Sequence, residues 1–424
     1  MLDINRQPTI IFLAEMPLTN GVIQAQLLPV AISAAQSGYS VHIIETAGRF
    51  ESQEENRKAV TEELRRNGIL SQKITVKQRT IFPSIISFTI KSYQRTADLI
   101  KEHAGKQVIL YARNYKFCPI VLYAKWRWNI PFIYSPRGAY VAERNFYRRF
   151  KDLLYGRYIG LLERRAIHKS EATIVETAPF KRHLERAYHI KTKKLVVIPN
   201  FFNTALLPPP EWNRDAMRIE LGFTDKHVIA YAGTVEVWYE FERMFDLVSR
   251  LKQKDPTVFF QLFLKEDYAR KESRGLLKKL SRLAEKYGMR EGGDYAISSY
   301  PPSQRYLYLS ACDAGICLTA PEEFKAIMLY LKIVDYLGAR LPVIINKDVL
   351  AVRKIIKESG AGVTVDYKNW ERSIDRIDTD KLFRKRGMNF KKIQAYSSFR
   401  ILPRYIDLFK EVLALISTHE KTKK

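Results

Sequence analysis

The feature that most constrains the fold is a repeated alternation of short apolar segments with longer segments of helical periodicity, in both halves of the chain. Continuous short apolar runs are typical of parallel strands covered on both faces. Alternating strands and helices predict doubly wound sheets. We therefore predict an α/β protein with two Rossmann-like doubly wound parallel-sheet domains facing a cleft. The main predicted strands are residues 9–15, 41–44, 108–111, 131–134, 171–175, 228–232, 259–264, 313–318 and 341–345.

The chain has 424 residues, which suits two domains of about 200 residues each. Residues 201–212 are loop-like and include the stiff Pro208-Pro209-Pro210 element. We predict Rossmann-like domains over 1–205 and 206–395. Residues 396–424 are predicted to form a C-terminal helix that packs back on the first domain and ends in a frayed tail.

The formal net charge of +26 favours a polyanionic partner, such as nucleic acid, an anionic membrane or a phosphorylated ligand. No nucleic-acid-binding signature accompanies the charge, so we predict a phosphate-bearing substrate, an anionic membrane surface and no nucleic acid. Residues 146–169 read as a basic amphipathic helix that can lie on anionic lipid. An ordinary surface helix with snorkelling arginines is the alternative.

The sequence contains no apolar run long enough to span a bilayer, and its start lacks the apolar core of a signal peptide. Cys118, Cys312 and Cys317 lie in apolar surroundings without metal-ligand spacing, which indicates buried thiols in a reducing compartment. We predict a cytoplasmic protein that can be peripheral on the inner face of the cell membrane.

Residues 330–345 read as a helix, a stop at Gly338 and a buried strand after Pro342. Lys332 and Asp335 are three residues apart, so a helix would place them on one face. The lysine would meet phosphate charge, and the carboxylate would bind ribose hydroxyls. An ordinary surface ion pair is the alternative reading.

Other polar or glycine positions follow strand ends, where open α/β sheets bind ligands. Gly21 follows the first strand and either lets a sugar or phosphate approach or is a simple turn glycine. Arg137 follows another strand and either faces ligand or binds loop carbonyls. Gly233 and Thr234 form a tight loop after the strand that opens the second half.

Signatures of several other enzyme classes are missing: GxGxxG, GxxxxGK[ST], GxSxG and HExxH do not occur. Asp378-Thr379-Asp380 has the form of a metal-binding DxD motif, but it lies late in the chain, and helix capping explains it better. We therefore predict neither a bound metal nor a cofactor, and no covalent nucleophile.

The order of these elements resembles the family-four glycosyltransferases, which have the GT-B fold. The resemblance covers most of the chain, and its individual motifs are short. They are Pro17 to Gly21, Ser135-Pro136-Arg137-Gly138, Val197-Ile198-Pro199-Asn200, Tyr231-Ala232-Gly233-Thr234, residues 311–316, and Lys332 with Asp335, Tyr336 and Pro342-Val343-Ile344.

The resemblance implies an enzyme that moves a sugar from a nucleoside-diphosphate donor to a hydroxyl of a glycan or lipid-linked acceptor, usually with retention and without metal. Such enzymes serve cell-surface polysaccharide assembly. The acceptor would lie on the first domain and the donor on the second. The predicted catalytic residues are Arg137 and Glu323. The predicted donor-binding residues are Gly21, Gly233, Thr234, Lys265, Lys332 and Asp335.

The sequence departs from the family pattern at the acidic pair. The position eight before Asp335 is Ile327, so the missing acid would have to come from Glu322 or Glu323 in the preceding loop. Lys265 would replace a cation that usually follows the strand-end glycine. A catalytically inactive binding or scaffold protein with the same fold is therefore the alternative function.

Overall fold

The computed structural model describes residues 7–46, 54–75, 81–146, 150–190, 194–264, 274–387 and 390–421. The chain forms two compact units. The first consists of Met1–Pro199 and Ile401–Lys424, and the second of Asn200–Arg400. The first segment of the first unit ends at Pro199, six residues before the predicted boundary at 205. The second unit ends at Arg400, five residues after the predicted boundary at 395.

Within its described residues, the first unit contains a parallel sheet of seven strands in the order β3-β2-β1-β4-β5-β6-β7. The strands are β1 Thr9–Ala14, β2 Ser40–Thr46, β3 Leu70–Ile74, β4 Val108–Arg113, β5 Phe132–Ser135, β6 Ala172–Val175 and β7 Leu195–Val197. The helices are α1 Gly21–Gln26, α2 Leu28–Gln36, α3 Glu54–Arg66, α4 Ile81–Glu102, α5 Cys118–Trp128, α6 Tyr140–Phe146, α7 Phe150–Lys169 and α8 Ala178–Ala187.

The first helical segment is broken, although the sequence reads as a single helix over 23–36. Helix α1 ends at Gln26, and α2 restarts at Leu28 with Pro29 in its first turn. Proline has no backbone N–H to bond the preceding turn, and it is tolerated at a helix start. The proline therefore divides this segment.

The described part of the second unit forms a parallel sheet of six strands in the order β10-β9-β8-β11-β12-β13. The strands are β8 His227–Gly233, β9 Val258–Leu264, β10 Tyr295–Ser298, β11 Ala314–Cys317, β12 Val343–Asn346 and β13 Gly362–Val365. From Asn200 onward, the α-helices in chain order are α9 Arg214–Glu220, α10 Phe241–Lys254, α11 Arg274–Lys286, α12 Arg305–Ser310, α13 Glu323–Ala326, α14 Leu331–Gly338, α15 Leu350–Ser359, α16 Trp370–Asp375, α17 Thr379–Arg384, α18 Phe390–Ile393 and α19 Ser398–Lys421. Most of α19 belongs to the first unit, which resumes at Ile401.

Both sheets reverse their strand order at one point, between β1 and β4 in the first unit and between β8 and β11 in the second. In open α/β sheets, ligands bind outside the carboxyl ends of the strands at such a point. The topology thus marks one candidate ligand position in each unit.

The second sheet is covered on both faces, as its apolar strands predict. Alternate side chains of β8 enter two separate core clusters. Val228 and Ala230 pack on one face, and Ile229 and Tyr231 on the other. The residues of β8 that lead to the site are therefore held in the core on both faces of the sheet.

Helix α19 packs in the first unit through its apolar face. The Phe409 ring lies 6.2 Å from Phe12, 6.1 Å from Tyr39 and 6.3 Å from Tyr111, measured between ring centroids. The three cysteines are buried free thiols. Among the described helices, none combines the length and the apolar composition that crossing a bilayer requires.

The core of the first unit contains a buried carboxyl group on α7. Glu163 is 1% exposed and accepts hydrogen bonds of 2.6 Å from the hydroxyls of both Tyr134 and Tyr188. Burial raises the pKa of Glu163 to about 7, although the two hydroxyl donors oppose the shift. The group is therefore neutral in the folded protein at mildly acidic pH.

Glu163 is expected to make stability depend on pH. Because its folded pKa of about 7 lies above its ordinary value of 4.5, its contribution is fully present below pH 4.5 and is lost as the pH rises through 7. The loss is on the order of 3 kcal/mol. The Glu163→Gln variant should lack this dependence in urea unfolding between pH 4.5 and 8.

Exposed Glu62 provides the control for this measurement. Hydrogen bonds from Arg65 and Arg66 lower its pKa to about 2. Glu62→Gln should therefore leave the pH dependence between 4.5 and 8 intact. A Glu163→Gln variant with the wild-type slope over this range would contradict the assignment to Glu163.

Candidate functional site

The candidate site of the second unit begins where β8 and β11 diverge. The two strands still pair at Gly315 and Ala230. Beyond that pair, the Tyr336 hydroxyl lies between them, accepting from the Ala232 N–H at 2.8 Å and donating to the Ile316 carbonyl at 3.3 Å. The opening at the strand ends is thus held by a tyrosine of α14.

Gly315 makes this arrangement possible. A Cβ atom at Gly315 would lie 2.4 Å from the Tyr336 ring, closer than any side chain could tolerate. Helix α14 therefore packs directly on the strand, and its first turn lies near the carboxyl edge of the sheet.

Lys332, in the first turn of α14, directs its amine to the end of β8. Its Nζ atom donates to the Tyr231 hydroxyl at 2.6 Å. The same atom lies 3.9 Å from the Tyr231 ring centroid and 3.6 Å from that of Tyr239. Two aromatic faces and a hydroxyl therefore fix a positive charge at this edge.

Gly233 leaves the space that the lysine needs. Its φ of +137° favours glycine, and a Cβ there would lie 3.1 Å from Lys332 Nζ. The Tyr231 hydroxyl, which accepts from the lysine, donates to the Thr234 carbonyl. The fold thus brings together residues predicted from two separate motifs: Lys332 from one, and Gly233 and Thr234 from the other.

Asp335 has different partners from Lys332. The Tyr306 hydroxyl donates to its carboxylate at 2.6 Å, and Arg305 lies 3.6 Å away. Burial raises the pKa of Asp335, and the Arg305 charge opposes the shift. The carboxylate holds α14 against α12, a structural role that the helix spacing did not reveal; its contact with ribose stays a prediction.

The loops after β8 and β11 pair with each other across the carboxyl edge. Tyr239 forms a bridge with Thr319, and the Ala320 N–H donates to the Trp238 carbonyl at 2.8 Å. Lys325 lies 4.0 Å over the Trp238 ring. A second buried cation therefore lies close to this edge, at a position the sequence did not single out.

The two acidic residues of the loop before α13 differ in exposure. Glu323 is exposed at the start of α13, whereas the Oε2 atom of Glu322 is inaccessible and makes no hydrogen bond to the described residues. Ile327, where the family pattern has an acid, is 4% exposed. Glu323 is therefore the more exposed acid of this pair.

Lys265 lies outside the described residues. In the DxD-like segment, the Asp378 side chain accepts from the Lys381 N–H at 2.9 Å and caps α17. The prediction that this motif serves as a helix cap is confirmed.

In the first unit, Arg137 follows β5, and its side chain is 9% exposed. It adopts a φ of 44°, and its guanidinium lies 3.7 Å from Glu176, which follows β6. Burial lowers the pKa of Arg137, but Glu176 and three nearby tyrosines, Tyr405, Tyr111 and Tyr140, together outweigh it, so the pKa is raised. The arginine is thus a fixed cation at the carboxyl edge of the first sheet.

The reversal point of the first sheet carries a second buried ion pair. Glu15 after β1 pairs with Arg113 at the end of β4, and Arg113 also donates to Gln26 at 2.9 Å. Asn114, with a φ of 84°, donates to the Tyr140 hydroxyl at 2.7 Å. The sequence analysis assigned no role to these residues. Arg113 and Asn114 at the end of a buried strand could nevertheless have indicated a polar site there.

Gly21 opens α1 in the loop after β1. A Cβ atom there would meet nothing within 4 Å, and Asn20 caps the helix by accepting from the Val22 N–H. Packing therefore leaves the space beside Gly21 open, and its contact with a transferred sugar stays a prediction.

Two open parallel sheets with the strand order described above define the GT-B fold. Solved glycosyltransferase structures share it over nearly the whole chain. A sucrose-phosphate synthase from Thermosynechococcus elongatus matches with a TM-score of 0.71 and 14% identity, covering 97% of this chain and 100% of its own. Anabaena HepE in complex with UDP-glucose matches with a TM-score of 0.68 and 14% identity, covering 95% and 99%. A glycosyltransferase from Rickettsia africae matches with a TM-score of 0.67 and 17% identity, covering 96% and 99%.

The sequence itself carries a narrower match. Residues 27–206 match the profile of the family described as Glycosyltransferase Family 4. A search of the curated proteins found no match. The predicted fold class is confirmed, and the family match lies in the first half of the chain.

Proposed function

We propose that this protein is a glycosyltransferase that moves a sugar from a nucleoside-diphosphate donor to a hydroxyl of a glycan or lipid-linked acceptor. The main support for this proposal is the position of the Lys332 amine. Tyr231 fixes it beside Gly233, at the point where the second sheet reverses its strand order. A diphosphate fits a fixed cation next to a backbone without a side chain. Anabaena HepE, which has the same fold, binds UDP-glucose.

In the proposed reaction, Lys332 stabilises the negative charge that develops on the departing diphosphate. A cation positioned before the reaction needs no reorganisation when that charge appears. Gly233 and Thr234 let the backbone approach the phosphates, and Asp335 is proposed to reach the ribose. Sugar transfer with retention and without a metal is part of the proposal.

The acceptor is assigned to the first unit, where Arg137 provides a fixed cation at the sheet edge. A Cβ at the adjacent Gly138 would lie 3.4 Å from atoms of Glu143 and Tyr140, so this turn is closely packed. Gly21 provides open space at the same edge. Exposed Glu323 of the second unit is the proposed acidic catalytic residue.

The proposed setting is cell-surface polysaccharide synthesis at the cytoplasmic face of the membrane. The net charge of +26 supports an anionic surface as a partner, because such a charge attracts the protein to acidic lipid. The protein would then be peripheral.

A second candidate is a nucleotide-sugar-binding protein without turnover. Buried Ile327 in place of the family's acid favours it. The two functions differ in one measurable respect, because both bind a donor and only the enzyme consumes it.

The test is calorimetry and product analysis with a panel of UDP-, GDP- and other nucleotide sugars. The enzyme proposal predicts binding of at least one donor and release of its nucleoside diphosphate when a hydroxyl acceptor is present. Binding without release would establish the second candidate, and no binding to any donor would reject both.

Tyr231 is proposed to position Lys332. Removing its hydroxyl in Tyr231→Phe deletes the 2.6 Å bond to the amine but keeps the aromatic ring below it. We expect kcat to fall by about 10-fold, with a smaller change in the KM for donor, since one hydrogen bond to a charged group is worth about 1.5 kcal/mol. Steady-state kinetics measures both.

The matched control is Tyr287→Phe, which removes a hydroxyl that donates to Glu242 at 3.4 Å instead of contacting Lys332. That variant should keep wild-type kinetics. Equal kinetics for Tyr231→Phe and wild type would remove Tyr231 from the proposed machinery.

A further inference from the structure

One face of the first unit combines exposed apolar side chains with basic residues. Helices α4, α5 and α7 form a single layer, because α5 packs against both of the others. Among the described residues, several large apolar side chains of this layer are strongly exposed, with Trp126 at 78% and Leu161 at 60%. We call this surface the α4–α5–α7 face. Its exposed apolar members are Ile86, Ile90, Tyr123, Trp126, Leu154, Tyr158 and Leu161.

The spacing of these residues gives each outer helix an apolar stripe. Ile86 and Ile90 are one turn apart on α4, and Leu154, Tyr158 and Leu161 follow the same helical spacing on α7. Single exposed apolar residues are ordinary on protein surfaces, but apolar stripes on two helices of one layer are not. This face is therefore built for an apolar or interfacial partner.

An aromatic cluster links α4 and α5 on this face. The Tyr123 ring lies 5.1 Å from Tyr93, 5.5 Å from Trp126 and 5.9 Å from Trp128, and Tyr93 stacks on Trp128 at 6.2 Å between centroids. Tryptophan and tyrosine are enriched at membrane–water interfaces, where an apolar ring meets polar headgroups. The cluster has that composition.

The charge of the three helices is positive. Their basic residues are Lys91, Arg95, Lys101, Lys125, Arg127, Lys151, Arg157, Arg164, Arg165 and Lys169. The acids are fewer: Asp98, Glu102, Asp152 and Glu163. Glu163 is buried under two tyrosine hydroxyls, so it does not offset the surface charge. Exposed Arg95 and Arg127 flank the aromatic cluster in sequence.

We propose that the α4–α5–α7 face binds the surface of an anionic lipid bilayer through its aromatic and aliphatic side chains, with the surrounding arginines and lysines on lipid phosphates. A nucleic acid would leave the isoleucine and leucine stripes in water, whereas a bilayer interface covers them. This inference deepens the proposed peripheral location, and it moves the contact from the basic helix at 146–169 alone to three helices centred on α5.

The experiment uses the full chain and vesicle flotation. Vesicles of phosphatidylcholine alone are compared with an equimolar mixture of phosphatidylcholine and phosphatidylglycerol. Wild type should float with the anionic vesicles only. The variant Trp126→Ser/Leu161→Ser should lose binding by at least about 10-fold, because two large apolar side chains no longer enter the interface.

The matched control is Phe399→Ser, which removes a 73% exposed aromatic ring from the second unit. It should float like wild type. Unchanged flotation of the Trp126→Ser/Leu161→Ser variant, or equal binding to both vesicle types, would overturn the proposal. Failure of wild type to float while the face captures a protein partner would also overturn it.

Donor calorimetry on the same variants separates this inference from the proposed enzyme function. Trp126 and Leu161 lie outside the site of the second unit, so donor affinity should stay at the wild-type value. Vesicle binding without any donor binding would leave the membrane surface standing and reject the enzyme. Donor turnover without vesicle binding would support the enzyme and reject the membrane surface.

Discussion

Replacing Lys332 by alanine is expected to lower kcat/KM for sugar transfer by about 100- to 1,000-fold, the usual cost of losing one group that stabilises developing charge. The amine is the cation that the structure fixes beside Gly233. The loss should appear in kcat as well as KM, because the charge on the leaving diphosphate grows in the transition state. Steady-state kinetics with the donor found by calorimetry measures it.

Lys368→Ala is the matched control, since it removes one exposed positive charge from the same unit. It should keep wild-type kinetics at physiological salt. The Gly233→Ala variant should reproduce part of the Lys332 defect, because a φ of +137° strains alanine and the added Cβ, 3.1 Å from Nζ, would displace the amine. A Lys332→Ala enzyme with wild-type turnover and donor affinity would refute the proposed site.

Replacing Asp335 by alanine is expected to destabilise the second unit by about 3–5 kcal/mol. The substitution leaves Arg305, which is 6% exposed, without its carboxylate at 3.6 Å, and it removes the acceptor of the Tyr306 hydroxyl. An uncompensated buried charge is the main cost. Hydrogen exchange of the β8 and β11 amides, which lie in the affected unit, measures the change.

Two comparisons make the Asp335 prediction specific. Asp380→Ala breaks an exposed 3.9 Å pair with Arg384 and should change stability by less than about 0.5 kcal/mol. Adding Arg305→Met to Asp335→Ala should recover part of the loss, because the unpaired charge is then removed. Equal effects for Asp335→Ala and Asp380→Ala would show that the buried pair does not anchor α14.

The sequence located the central helix and its lysine, but it did not show which residues hold the neighbouring acid. Spacing of three residues predicts a shared face for Lys332 and Asp335. In the folded chain, Lys332 reaches Tyr231 on β8, whereas Asp335 reaches Tyr306 on α12. The distances in sequence to these partners are 101 and 29 residues, so local periodicity carries no information about them.

The partner of Arg137 in the first unit was also not predictable from local sequence. Its place after a strand predicted an edge position, which the structure has. Its partner Glu176 follows the next strand of the sheet, and their proximity depends on the order in which the strands pair. The Glu15–Arg113 pair was missed because its members lie 98 residues apart.

The sequence by itself determined the fold class, because strand and helix periods are local and their alternation admits few topologies. It also identified the glycine that ends β8, since a glycine at the end of an apolar run is a local signal. Only the tertiary structure decided the partners: the tyrosines that hold Lys332, the arginine that holds Asp335, and the aromatic face across α4 and α5. Those contacts join distant segments, and burial together with strand order, rather than any short motif, brings them within bonding distance.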